Sequence, residues 1–377
     1  MRVSFLMPWM AWVGIIIGVV YPEAKNLFYG IPYVAIFLST LFLIYALTNL
    51  RKADLFYVTK YNFLLLLYGL ANYFLFHGSA PEIVRQLSSL IAAPTIAYLI
   101  FKRYEVDNIL DVIWKFAFVI SVIFIFIRIF LFDFSRNSFF LGFGPITFSY
   151  FICVGMLACV IQNKKRNPLI YFLMMIPLYI AESKGPFIAF CITFLIFIVS
   201  NFSHKKTMGK TWILLVLMSA MFFIQSARVE VSLSELRASN SSLSIQDKAI
   251  QMNIQENEAQ GDTSIRLIAW QRSLKIILNN FPAGIGIGKW GQSSNLDYLE
   301  YPHNFILQLL SDSGLIGLLV LLIVFYRFAI KLTEKSPWAY LGVFFLIAAF
   351  FSGTTKDYRF IYLFYLIMNN FYAKKRI

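Results

Sequence analysis

Residues 301–325 read YPHNFILQLLSDSGLIGLLVLLIVF, and this stretch decides the class of fold. After His303 and Asn304 the residues are apolar for more than twenty positions, interrupted only by Gln308 and by SDSG at 311–314. A helix of about 20 apolar residues is long enough to cross the hydrocarbon core of a bilayer. The stretch therefore predicts a transmembrane helix near 303–326, in which Gly314 and Gly317 allow close helix contact or a break.

The composition extends this prediction to the whole chain. Of the 377 residues, 59% are hydrophobic and only 14% are charged, whereas soluble domains carry roughly 25% charged residues. This composition excludes a water-soluble enzyme, a disordered chain and a disulfide scaffold. The apolar runs are continuous, as in helices, and do not alternate as barrel strands do. They lie near 3–21, 31–50, 61–77, 84–101, 109–132, 138–162, 168–182, 186–201, 211–225, 303–326, 337–352 and 359–373.

We therefore predict an all-α, polytopic integral membrane protein with about 12 transmembrane helices. The first run lacks a small-residue cleavage site and is interpreted as a retained span. Lysine and arginine residues concentrate in every second connection, near 51–60, 102–103, 164–166, 205–210, 327–335 and 374–376. The positive-inside rule places these connections and both termini in the cytoplasm.

The long polar segment 226–302 consequently lies outside the cytoplasm. It divides the chain into an N-terminal bundle of about nine spans at 1–225, the external loop at 226–302, and about three C-terminal spans at 303–377.

The net charge of +14 follows mostly from the positive-inside bias. Cys153, Cys159 and Cys191 lie inside apolar runs without the spacing of a metal site or a disulfide framework, so we predict no metal.

The second half of the external loop is well organised. SIRLIAWQRSLKIILNN predicts a helix that starts at Thr263 or Ser264 and ends at Phe281-Pro282, before the glycine-rich turn PAGIGIGKWG. Arg266 and Trp270, four residues apart, share one helix face. The leucines and isoleucines also fit a basic helix anchored at lipid headgroups, which is the alternative interpretation. GIGIGKW is neither a Walker motif nor a Rossmann fingerprint, because no βαβ pattern surrounds it.

Further cations lie close to the predicted outer boundary of the membrane: Lys184 in AESKGPF, Arg85, Arg136 and Arg359. Charges at this depth are costly unless they are paired or snorkel to the headgroups, and either explanation suits each residue singly. Together they form an external cationic rim that the positive-inside rule does not predict. An anionic ligand at the outer leaflet would explain the rim.

Four motifs in order carry a resemblance to a known family: SKGPFIAF, SIRLIAW, FPAGIGIGKW and HNFILQLLSDSGLIGLL. With their spacing they cover about 182–322 and resemble the O-antigen ligase/polymerase superfamily, most closely its Wzy-type polymerases. Lys184 stands where many members have arginine, which keeps the charge but loses the bidentate fork for phosphate.

The resemblance implies a GT-C-like glycosyltransferase of the bacterial inner membrane, with its active site facing the periplasm. Such an enzyme transfers a glycan from undecaprenyl diphosphate and uses no nucleotide sugar, metal or other cofactor. The implied partners are the lipid-linked oligosaccharide, membrane lipids and a chain-length regulator protein, with no nucleic acid.

The resemblance also implies roles for the residues. Fixed cations would stabilise the diphosphate leaving group: Arg266 first, then Lys184 and Arg85, with Arg136 and Arg359 at the rim. His303 would deprotonate the acceptor hydroxyl, or else bind phosphate or sugar. Asn304 would orient His303 or the acceptor. Trp270 and Trp290 would stack on sugar faces or, alternatively, pack in the protein.

Three other functions stay open at this stage. A ligase would attach the finished glycan to lipid A–core, whereas a polymerase would extend the chain on its lipid carrier. YPHN, SKGP and the Phe/Tyr/Ile-rich composition favour the polymerase. A flippase for lipid-linked oligosaccharides would have short loops, which the loop 226–302 contradicts. A transporter would show an inverted internal repeat, and none is evident in the sequence.

Overall fold

The computed structural model describes Pro8, Trp9, Trp12 and residues 52–131, 145–162, 167–181, 183–201, 263–296, 301–352 and 358–371. Within these residues the chain forms eleven helices and no strands. The helices are α1 (Lys52–Phe76), α2 (Ala80–Phe101), α3 (Val106–Leu131), α4 (Pro145–Ile161), α5 (Pro168–Ala181), α6 (Lys184–Ser200), α7 (Thr263–Asn280), α8 (Trp290–Ser294), α9 (Phe305–Thr333), α10 (Pro337–Ser352) and α11 (Tyr358–Phe371).

The predicted all-α class is confirmed for this part of the chain. By length and composition α2, α3 and α9 can each cross a membrane, and α4, α5, α6 and α10 contain shorter apolar helices. Together these describe a multi-pass membrane protein. Most bounds match the apolar runs, but α1 starts at Lys52 and not near residue 61, α4 starts at Pro145 and not near 138, and α9 continues to Thr333 and not to 326. The runs near 3–21, 31–50 and 211–225 lie outside the described residues, so the count of twelve spans stays a prediction.

Aromatic side chains fill the centre of the helix bundle. The Trp12 ring lies 6.4 Å from Phe101 on α2 and 6.1 Å from Phe360 on α11, measured between ring centroids. Phe360 also stacks on Phe345 of α10 at 4.4 Å. Because lipid tails are as apolar as these side chains, close packing of the rings holds such a bundle together. The Phe345–Phe360 contact packs the middle of α10 against the first turn of α11.

Helix α9 is broken at Gly314, whose φ of 51° and ψ of −123° are not helical. Before the break its side chains are largely buried, as at Phe305 and Gln308. After the break Leu319 and Leu322 are more than half exposed. Residues 315–333 would span about 28 Å as a helix, close to the hydrocarbon thickness of about 30 Å. The whole of α9 is long and apolar enough to cross a membrane, as predicted for 303–326, but the half of that predicted span before the break packs largely inside the protein.

Candidate functional site

The glycine-rich turn after α7 fills the break in α9. A broken helix leaves backbone carbonyl and amide groups that need new partners, above all within a membrane protein. Three hydrogen bonds between the turn and α9 supply them. In two the turn donates, from Ile285 N–H to the Ser311 carbonyl (2.9 Å) and from Gly286 N–H to the Asp312 carbonyl (2.9 Å). In the third the turn accepts, from Leu315 N–H to the Pro282 carbonyl (2.8 Å). The turn and the break are thus one structural unit.

The conformation of this turn requires glycine. Gly284 and Gly286 have φ of 86° and 89°, a region that side-chain-bearing residues avoid. A Cβ atom on Gly284 would lie 2.7 Å from the Ser313 nitrogen, closer than real Cβ atoms come. GIGIGKW therefore brings one backbone into close contact with another, which only glycine at these positions allows.

Asn72 joins this unit to α1. Its side-chain oxygen accepts a hydrogen bond from Ile287 N–H (2.8 Å), and its side-chain nitrogen donates to Ser313 Oγ (2.8 Å). The Tyr68 hydroxyl lies 2.5 Å from the same Ser313 oxygen. The sequence analysis missed Asn72 and Tyr68, because they sit in an apolar run. The only indication in the sequence was that both are polar residues within a predicted transmembrane span, and a polar residue there often has a functional or packing role.

Arg266 and Trp270 both reach the end of α10, as their shared helix face predicts. The Arg266 guanidinium donates to the Phe351 carbonyl at 2.9 Å. The Trp270 ring meets Phe350 edge to face, with 5.9 Å between centroids. Helix α7 therefore crosses the bundle where α10 ends, and it holds the Arg266 side chain there.

His303 lies two residues before α9 and has a φ of 52°. A non-glycine residue in this region stores strain of about 1–3 kcal/mol and is often found at functional sites. Its ring lies 4.5 Å from the Tyr301 ring. Two residues further on, Phe305 contacts Tyr358 at 4.5 Å, so α9 and α11 begin side by side. His303 and Arg359, the latter only 6% exposed, consequently lie at the same end of the bundle.

Asn304 has a structural role in the first turn of α9. It is 1% exposed, and its side-chain oxygen accepts a hydrogen bond from Leu307 N–H at 3.1 Å. This is an N-cap, an interaction typically worth about 1 kcal/mol. Asn304, the residue predicted to orient His303 or the acceptor, thus uses its side-chain oxygen to cap α9.

Among the other predicted cations, Arg85 is paired within its own helix. The exposed Arg85 guanidinium forms an ion pair with Glu82 at 2.8 Å, one turn away on α2. Exposed pairs of this kind contribute little to stability. Lys184 begins α6 directly after the buried Ser183, but its side chain lies outside the described part of the structure, as does Arg136.

Trp290 belongs to the protein interior. It is 1% exposed and packs with Ala269 and Ile276 of α7, while its indole N–H donates to Ser273 Oγ at 2.9 Å. Of the two expectations for this residue, packing agrees with the structure, since neither ring face is open to a sugar.

The buried part of α9 before its break also contains polar side chains. The Tyr358 hydroxyl donates to the Gln308 side-chain oxygen at 2.8 Å, and Asp312, four residues after Gln308, is only 4% exposed. Among the residues that the structure describes, no group of three or more His, Cys, Asp or Glu side chains could hold a metal ion.

Residues 169–322 match the model of the family described as O-antigen ligase. The matched segment runs from α5 through α7, the glycine-rich turn and the break in α9, and it contains Arg266 and His303. The resemblance to the O-antigen ligase/polymerase superfamily is therefore confirmed over this segment, which is less than half of the chain. The superfamily comprises membrane enzymes that act as glycosyltransferase-like ligases and polymerases. Comparisons with curated proteins and with solved structures gave no match.

Proposed function

We propose that this protein is a surface-polysaccharide polymerase of the O-antigen type. It transfers a growing glycan from undecaprenyl diphosphate to a sugar hydroxyl of another lipid-linked repeat unit, at the periplasmic face of the inner membrane. Two observations support the proposal: Arg266 bonds to the end of α10, and His303 and Arg359 lie at the adjoining starts of α9 and α11. Beyond its break α9 exposes apolar side chains that suit contact with lipid.

The chemistry of the transfer suits these side chains. The anomeric carbon loses a membrane-bound diphosphate, whose developing negative charge needs fixed cations. In this proposal Arg266 is the principal cation, because its hydrogen bond to the Phe351 carbonyl holds the guanidinium in place. Arg359 and Lys184 add positive potential around the lipid phosphates.

The second half of the reaction concerns the acceptor. A sugar hydroxyl must lose its proton as it attacks the anomeric carbon, and a histidine at the site is suited to accept that proton. His303 is our candidate, because it lies at the end of the bundle where α9 and α11 begin, and its backbone conformation is strained. A role for His303 as a ligand of phosphate or sugar is the alternative within the same proposal.

A gene deletion distinguishes the polymerase from other functions. If the protein is the polymerase, the mutant's lipopolysaccharide should carry a single repeat unit on core, and the wild-type gene should restore the ladder. Bare core with accumulated lipid-linked polymer would identify a ligase and contradict the proposal. An unchanged ladder, or bare core without lipid-linked polymer, would point to an unrelated function or to a flippase.

A further inference from the structure

Helix α7 has two different faces. Ala269, Ser273 and Ile276 are buried against the protein. Four apolar side chains on the other side are at least half exposed: Leu267 (55%), Leu274 (51%), Leu278 (79%) and Phe281 just beyond the helix (53%). Their spacing of seven, four and three residues places them in one stripe. An exposed apolar stripe of this length marks a surface that contacts a partner or a membrane.

Both ends of α7 lie at one end of the bundle. Its first turn bonds to Phe351 where α10 ends. The turn that follows its last residue bonds to the α1–α2 connection, through Ser79 N–H and the Ile287 carbonyl at 2.9 Å. Eighteen residues extend about 27 Å as a helix, so α7 runs across this end of the bundle from one membrane helix to another.

The apolar stripe of α7 continues into the exposed face of α9. It ends at Phe281, and the next residue, Pro282, accepts a hydrogen bond from Leu315 N–H at 2.8 Å. Leu315 is 43% exposed and is the first of the exposed apolar residues of α9, followed by Leu319 and Leu322. Because α9 is long and apolar enough to cross a membrane, lipid is the partner that suits its face, and the stripe of α7 adjoins that same face.

The charges beside the stripe suit a lipid surface. Arg272 and Lys275 are exposed on α7, within two residues of Leu274. Interfacial helices typically place an apolar face at the boundary of headgroups and acyl chains, with Lys and Arg beside it. Near a membrane surface such cations are attracted to anionic lipid headgroups.

We propose that α7 is a membrane-surface helix that docks on the outer leaflet. Leu267, Leu274, Leu278 and Phe281 enter the hydrocarbon, and Arg272 and Lys275 bind the phosphates of anionic phospholipids. Arg266 keeps its predicted role as well. The Arg266 site and the lipid-anchored helix were alternative interpretations of the sequence, but Arg266 and the apolar stripe lie on different faces of α7. Arg266 lies about 100° around the helix from Leu267, at the side and not on the immersed stripe.

This arrangement sets the depth of the site. A helix whose apolar face is immersed by about 5–10 Å holds a lateral side chain near the level of the lipid phosphates. Arg266 would then meet a lipid-linked diphosphate without lifting the carrier out of the leaflet. Only this step rests on the proposed function; the docking itself does not.

Site-directed spin labelling of the full chain in phospholipid nanodiscs tests the docking. A nitroxide is attached to Leu274→Cys or Leu278→Cys, with Asn279→Cys as the matched control, because Asn279 is exposed but lies about 100° around from Leu278. Cys153 and Cys159 are fully buried and can stay, while Cys191 is replaced by alanine. Collision rates with oxygen, which dissolves in hydrocarbon, are compared with those of a water-soluble nickel chelate.

We expect labels at 274 and 278 to collide more often with oxygen than with the chelate, and the label at 279 to show the reverse. Preference for the chelate at 274 and 278 would place the stripe in water and overturn the proposal. Low collision rates with both reagents would show that protein covers the stripe, either residues 202–262 or a second copy, and would also overturn it. The readout does not use catalysis, so it fails or succeeds independently of the proposed function.

A photo-crosslinker in place of Leu278 provides a second measurement in the otherwise native sequence. A benzophenone side chain there should cross-link to phospholipid, giving a lipid-sized mass increase on the peptide that contains residue 278. Cross-links to another part of the chain, or to a second copy, would contradict docking on the bilayer.

Discussion

Asn72 and Ser313 are 241 residues apart in sequence, yet the Asn72 side-chain nitrogen donates to Ser313 Oγ at 2.8 Å. Asn72 is fully buried in α1, and Ser313 is the residue before the break in α9. The same asparagine accepts from Ile287 N–H of the glycine-rich turn. One side chain thus ties together the three segments that position α7 and the start of α9.

Replacing Asn72 with leucine should destabilise the protein markedly. Leucine has the same branched side-chain shape but leaves the Ile287 amide and the Ser313 hydroxyl with fewer partners, at a cost of about 1–3 kcal/mol for each buried group left unsatisfied. The measurement is the thermal unfolding midpoint of the detergent-purified protein. Asn108→Leu is the control, because Asn108 is exposed on α3 and surface changes usually stay within about 0.5 kcal/mol.

A double-mutant cycle isolates the contribution of the hydrogen bond between Asn72 and Ser313 to stability. Ser313→Ala removes the other partner, so the loss in the double variant should be smaller than the sum of the two single losses. Additive losses would mean that Asn72 acts through other neighbours, and the tie between α1 and α9 would be disproved.

Gly314→Ala should also lower the unfolding midpoint. Its φ of 51° with ψ of −123° is a conformation that costs a side-chain-bearing residue about 1–3 kcal/mol, and a Cβ atom there would collide with the Pro282 carbonyl. Gly291→Ala is the control, since Gly291 lies inside helix α8, where alanine is tolerated. Equal midpoints for the Gly314 and Gly291 variants would show that the break at 314 is not required.

Most of the helices in the described part of the chain could be predicted from the sequence. Long apolar runs define spans by hydropathy alone, and Pro282 ends α7 where the sequence predicts. Thr263 begins α7 as expected. These features depend on neighbours within a few residues, which is why a single sequence reveals them.

The site was predicted only in part, because its connections are long-range. Arg266 and His303 stood out as polar residues next to recognisable motifs. Nothing local in the sequence indicates that Asn72 meets Ser313, or that the glycine turn would enter the break in α9. Trp290 shows the same limitation. Whether its ring stacks on a sugar or packs in the protein depends on contacts with Ser273 and Ile276, and only the fold brings these residues next to it.

The orientation of the bundle can be tested with two matched loop positions. Asn295 and Lys335 are both exposed and both have positive φ, 55° and 53°, but they lie on opposite sides of the predicted membrane. A membrane-impermeant thiol reagent should label Asn295→Cys, but not Lys335→Cys, in intact spheroplasts. The opposite pattern would place α7 in the cytoplasm and remove the basis for a periplasmic site.

Arg266→Ala should nearly abolish polymer synthesis while the protein level stays normal. Loss of a fixed group that stabilises a developing anion typically costs about 10²–10³ in rate. Arg266→Lys should recover little, because lysine lacks the planar fork that can bond the Phe351 carbonyl and a phosphate together. The rate is measured with purified lipid-linked repeat units.

Arg327→Ala serves as the control for loss of one positive charge, because Arg327 is exposed on α9 near the end that is predicted to be cytoplasmic. It should retain a near-normal rate. Near-normal synthesis by a well-expressed Arg266→Ala protein would instead assign Arg266 to anchoring α7 at the bundle.

His303→Gln separates a base from a binder. Glutamine can replace hydrogen bonds of the imidazole but not its basicity, so loss of a general base should lower the rate by about 10²–10⁴. The wild-type rate should fall towards acid pH, because only the neutral imidazole can accept the proton of the acceptor hydroxyl. If His303 is a cationic phosphate ligand, His303→Arg should retain activity and the wild-type rate should rise towards acid pH.

His77→Gln is the matched control for this prediction. His77 is exposed at the α1–α2 turn and has the same positive φ, 53° against 52° for His303, so loss of a histidine from a strained position is common to both variants. Only the His303 variant should lose activity and the acid limb of its pH–rate profile. An active His303→Gln protein with an unchanged profile would leave His303 as a structural residue before α9, and another group would have to deprotonate the acceptor.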